Sequence, residues 1–112
     1  MSKENDSDII QLSGIISKNF EQISPGFLIN NNDIKDLEEL KKYLASKIDI
    51  MLDEKYDLLI NLLYRIDIDD KKIEEVFSKE KRDNIPALIA SLIIERQLQK
   101  IHYRKLYKGG NL

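Results

Sequence analysis

The sequence predicts an all-α protein, a small bundle of four helices with an optional fifth at the N-terminus. Apolar residues recur at spacings of three and four through most of the 112 residues, the interval that lines one face of a helix. Short polar residues suited to helix caps stand ahead of several of these runs. No stretch alternates apolar and polar residues for long enough to make a strand: the best competitor, residues 65–69, is short and acidic.

The longest pattern, residues 85–107, reads IPALIASLIIERQLQKIHYRKLY. At about 100° per residue, Ile85, Leu88, Ile89, Leu92 and Ile93 share one arc, and Ala87, Ala90 and Ile94 lie opposite. A helix apolar on both sides is buried on both sides, so this half belongs at the centre of the domain. Beyond Glu95 the pattern loosens and turns basic. Leu98 and Ile101 continue one face and Tyr103, Leu106 and Tyr107 the other, with Arg96, Lys100, Arg104, Lys105 and Lys108 between them. Gly109 and Gly110 suit the helix end, and Pro86 suits its first turn, with Asn84 as the expected cap.

The preceding helices follow in order. Ile9, Leu12, Ile16, Phe20 and Ile23 suggest an amphipathic helix over residues 8–22, weakened by Gly14 and the serines. Residues 1–31 are accordingly read as a flexible or partly helical leader, and residues 32–112 as the helical domain. Ser24-Pro25-Gly26 ends the leader helix, and Phe27 to Ile29 form a short apolar patch expected to pack back on the core. Asn32 or Asp33 is the expected cap of a helix over residues 33–52, with Ile34, Leu37, Leu40, Leu44, Ile48 and Met51 on one stripe. Asp53 is expected to cap the next helix, whose Tyr56, Leu59, Ile60 and Leu63 oppose Leu58 and Leu62. That helix reads as enclosed, and as a neighbour of residues 85–94. Asp69 then caps a short helix to about Lys79, with Ile68 and Ile73 at hydrophobic-staple spacing and Ile73, Val76 and Phe77 facing inward. The expected core combines Leu37, Leu40, Leu44, Ile48, Leu59, Leu63, Val76, Phe77, Leu88, Ile89, Leu92 and Ile93.

Composition narrows the function classes. The chain has no cysteine, which removes disulfides, thiolate nucleophiles and cysteine zinc sites and suits a reducing, cytoplasmic setting. No apolar run approaches the roughly 20 residues that span a bilayer. The net charge of −2 predicts no strong bulk attraction to nucleic acid, but the charge is polarised. Residues 33–57 hold eight acidic and five basic residues, and residues 95–108 one acidic and five basic.

The residues offer little that points to chemistry. Asp67-x-Asp69 resembles the start of a calcium loop, but the glycine and glutamate that such a loop needs are replaced by Lys72 and Ser78. The single histidine, His102, has Gln99 where a di-iron bundle would place glutamate. The paired acids Glu38-Glu39 and Glu74-Glu75 read as solvated helix faces. No catalytic, cofactor or metal residue is assigned, and no small-molecule substrate is expected.

Tyr64-Arg65-Ile66-Asp67 and the run Ile93-Ile94-Glu95-Arg96-Gln97-Leu98-Gln99-Lys100 resemble small all-helical bacterial proteins that carry a YRID…IIERQLQK pattern. The resemblance covers roughly residues 37–104. It implies a helical fold and brings no activity and no residue role.

The expected function is a non-enzymatic protein–protein interaction module, self-associating as a homodimer through the C-terminal half of the last helix. The candidate partner-binding residues are Arg96, Leu98, Lys100, Ile101, Tyr103, Arg104, Lys105, Leu106, Tyr107 and Lys108. The alternative is nucleic-acid binding by the basic ridge Arg96, Lys100 and Arg104, with the tyrosines stacking on bases.

Overall fold

The computed structural model describes residues 6–23 and 36–109, which form an all-α bundle of five helices with no strand among them. These are α1 (Asp6–Ile23), α2 (Leu37–Glu54), α3 (Tyr56–Ile66), α4 (Asp70–Lys79) and α5 (Ile85–Gly109), with a 3-10 turn, Arg82–Asn84, leading into α5. The Phe27 to Ile29 patch and the expected caps Asn32 and Asp33 lie outside the described residues.

The helix starts follow local capping chemistry, at different residues from those expected in three cases. Helix α2 begins at Leu37 rather than at Asp33, and its cap is Asp36, whose Oδ1 accepts from the Glu39 amide at 2.9 Å. Asp36-x-x-Glu39 is capping-box spacing, which places acids in the first turn, where the helix dipole favours them. Asp53 does not cap α3. It remains inside α2, and its Oδ1 takes the Arg82 Nη2 at 3.0 Å. The chain turns from α2 to α3 on Lys55 alone, with no side-chain cap. Asn84 lies within the 3-10 turn instead of standing extended ahead of α5. Asp69 does cap α4, accepting from the Lys71 amide at 3.0 Å, and Ile68 is buried in the cluster against which Ile73 packs.

Helix α5 touches every other helix and the 3-10 turn, and its most extensive partner is α2. The apolar stripes facing one another contribute Leu40, Leu44 and Ile48 from α2 and Ile89, Ile93 and Ile101 from α5, all fully buried. Each such side chain stabilises the fold by about 1.5–3 kcal/mol. Arg82, just ahead of α5, clamps the far end of α2. Its Nη1 reaches Asp49 Oδ1 at 2.9 Å, and its Nη2 also donates to the Asp49 carbonyl at 3.0 Å. The hydrogen bond to Asp53, then that to Asp49, holds the Arg82 pKa above its ordinary value, against some desolvation.

Two features depart from the expected core. Helix α1 joins it outright: Leu12, Ile16 and Phe20 are fully buried, against α3 and α5. Helix α4 has no buried residue. Val76 and Phe77, expected in the core, are half-buried, as are Leu37, Leu88 and Leu92. A ten-residue helix with contacts to α5 but little cover on its other sides leaves its apolar face incompletely enclosed.

Candidate interaction surfaces

The second half of α5 divides the candidate residues between the chain's own interior and its surface. Ala90, Ile94, Gln97 and Ile101 recur at helical spacing and are all buried, so the core continues well past Glu95. Gln97 escaped the apolar pattern because it is polar. It tolerates burial because its Nε2 donates to Asn19 Oδ1 of α1 at 2.8 Å, and a buried amide with a partner avoids most of the desolvation cost. Ile101 is thus a core residue, and Leu98 is half-buried against the same cluster. Past Ile101 the described side chains of the helix are exposed. Tyr103 is 62% exposed and Leu106 64% exposed, and Arg104, Lys105 and His102 are exposed beside them. The side chains of Tyr107 and Lys108 lie outside those described.

Arg96 is spent on structure. The chain leaves α3 through Asp67, at φ 69° and ψ 48°, the only described non-glycine residue with positive φ. Its amide donates to the Leu63 and Tyr64 carbonyls at 3.1 and 3.0 Å, and the Ile68 amide to Leu63 at 3.3 Å. This is the Schellman arrangement, which ordinarily takes glycine at the left-handed position. Arg96 binds the strained residue on two sides. Its Nε donates to the Asp67 carbonyl at 3.1 Å and its Nη2 meets Oδ2 at 3.2 Å, while Nη1 donates to Gln99 Oε1 at 3.2 Å. The Tyr64–Asp67 and Ile93–Lys100 segments singled out in the sequence therefore meet at this corner.

The ridge of Arg96, Lys100 and Arg104 is consequently uneven. Lys100 is half-buried, and desolvation, then the nearby Arg96 charge, lowers its pKa. A pocket of about 200 Å³ opens beside Arg96. Its charges neutralise one another: Arg96 pairs with Asp67, and Lys72 pairs with Glu95 at 3.8 Å. Asp69 there is committed to the α4 cap.

A larger groove of about 360 Å³ runs between α3 and α4. Ile60 and Ile73 line it with Tyr56, Tyr64 and Phe77, and Asp70 and Glu74 are the charged residues of its lining. The Tyr56 and Phe77 rings meet edge-on, with centroids 5.9 Å apart, a favoured aromatic geometry that presets the wall. Tyr64 is 62% exposed. The periodicity of α3 and α4 placed Tyr56, Ile60, Ile73 and Phe77 on apolar faces and Glu74 on a solvated one, and it is the tertiary structure that brings them to one groove.

No known family model matches this chain, and neither a curated protein nor a solved structure matches it.

Proposed function

We propose that this protein is a non-enzymatic helical interaction module that associates with a protein partner, in the first instance a copy of itself, through the C-terminal end of α5. The observation that carries this reading is the pair Tyr103 and Leu106. They lie three residues apart on one helical face, each more than three-fifths exposed, just beyond the last buried residue, Ile101. An aromatic and a leucine adjacent on one exposed helical face form an apolar patch suited to a partner, and Arg104 beside them suits an acidic counter-surface. So small a patch favours weak, exchanging association, since stable interfaces bury about 1,200–2,000 Å² in total.

Nucleic-acid binding draws less support. Arg96 is engaged by Asp67, and Lys100 is partly withdrawn, so the ridge presents fewer free charges than its spacing promised.

Sedimentation of the full chain from micromolar to millimolar concentration tests the proposal. The wild type is expected to exceed its 13.1 kDa monomer mass with rising concentration. Leu106→Asp is expected to weaken that association at least tenfold while helicity stays intact. Tagged chain is then recovered from native lysate with and without nuclease. Recovery of nucleic acid that is lost steeply with salt, together with unchanged sedimentation of Leu106→Asp, would overturn the proposal.

A further inference from the structure

The groove between α3 and α4 and the end of α5 are opposite in shape and in charge. The groove is concave, walled by apolar and aromatic side chains, and acidic through Asp70 and Glu74 with no basic residue lining it. The end of α5 is convex, carries Tyr103 and Leu106 exposed beside Arg104 and Lys105, and has no acid over residues 102–108. An amphipathic helix laid into an apolar groove is a recurrent recognition mode, read by anchors three and four residues apart. Resting on the reading of α5 as an interaction element, we infer that the groove between α3 and α4 is the receptor for the α5 end of a second copy of this chain.

The chain's own α5 does not fill its own groove. Helix α5 is continuous to Gly109, and Arg96 is held against Asp67, at the junction of α3 and α4. Leu106 therefore lies about 15 Å farther along a straight helix axis, directed away from that junction instead of folding back between α3 and α4. A second copy meets no such restriction. Leu106 enters beside Ile60 and Ile73, Tyr103 meets the aromatic wall of Tyr56, Tyr64 and Phe77, and Arg104 faces Asp70 and Glu74. The half-buried apolar residues of α4 then gain cover that the described residues of their own chain do not provide.

The experiment uses two full-length variants, each altered at exposed positions so that the fold is retained, with helicity checked by circular dichroism. One alters the α5 end, Arg104→Glu with Leu106→Asp. The other alters the groove, Tyr64→Asp with Glu74→Lys. Each is sedimented alone and mixed in equal amounts. The expected result is that each variant alone associates at least tenfold more weakly than the wild type. The mixture is expected to form a one-to-one complex, because it pairs an intact groove with an intact α5 end. If the groove variant alone associates like the wild type while the α5 variant does not, the inference is overturned and the reading of α5 stands. If the α5 variant associates like the wild type, both fall. A wild type that stays monomeric throughout overturns the inference and leaves α5 to a partner of another kind.

Discussion

At the scale of single residues, the most informative position is Asp67. An L-residue in the left-handed region costs roughly 1–2 kcal/mol, and aspartate tolerates it better than most. Here the cost is offset by Arg96, which binds both the carbonyl and the carboxylate of the strained residue. Asp67→Gly relieves the backbone but gives up an ion pair whose carboxylate is largely exposed, worth up to about 1 kcal/mol. Its stability is expected within about 1 kcal/mol of the wild type. Asp67→Val gains no backbone freedom, keeps only the Arg96 contact to the main-chain carbonyl, loses the carboxylate contact and puts a β-branched residue in the left-handed region. It is expected to lower stability by about 2 kcal/mol or more. Urea unfolding midpoints check the order, and a valine variant as stable as the wild type would show that the corner does not need this geometry. The sequence read Asp69 as the cap of α4, which it is, but spacing could not say that Asp67 closes α3 in the left-handed region.

At the scale of helices, α1 shows how tertiary contact overrides propensity. Gly14 and three serines make it the poorest helix by composition, yet it is 18 residues long with a fully buried stripe. Packing supplies what propensity lacks. Gly14 itself faces open space, and a methyl group added there would meet nothing within 4 Å. Gly14→Ala is therefore expected to raise stability by about 0.5–1 kcal/mol, read as an increase in Tm. A fall in Tm would mean that the backbone there departs from ordinary helix. Helix α5 shows the converse limit. Its periodicity located Ile85, Ile89 and Ile93 on one buried side and Ala90 and Ile94 on the other, but Ala87, expected with them, is exposed. Gln97, which meets Asn19 of α1, and Ile101 extend the core beyond the expected half.

At the scale of the whole molecule, α1 belongs to the same apolar cluster as α2, α3 and α5. Phe20, fully buried, is expected to cost about 3–5 kcal/mol when replaced by alanine, as large core truncations do. Ile10→Ala, at a position 56% exposed on the same helix, is expected within about 0.5 kcal/mol of the wild type. Thermal unfolding followed by circular dichroism and by tyrosine fluorescence would show one shared transition if α1 folds with the rest. A Phe20→Ala variant that unfolds like the wild type would separate α1 from the core. The Arg82 clamp acts at the same scale, tying the end of α2 to the start of α5 through Asp49 and Asp53.

The residue pattern alone specified the helical class, the positions of α3, α4 and α5 to within a residue or two, and most of the α2 and α5 core. These follow from the spacing of apolar side chains along a single helix and from local capping chemistry, both of which are local properties. The Asp36 cap of α2 is a local capping box that needs no neighbouring helix, whereas Asp53 meeting Arg82 and Arg96 closing on Asp67 came from the tertiary fold. It alone decided that Ile101 is interior while Tyr103 and Leu106 are surface. Those outcomes depend on which helix lies over which turn, and the apolar period of one helix carries no information about where its neighbour ends.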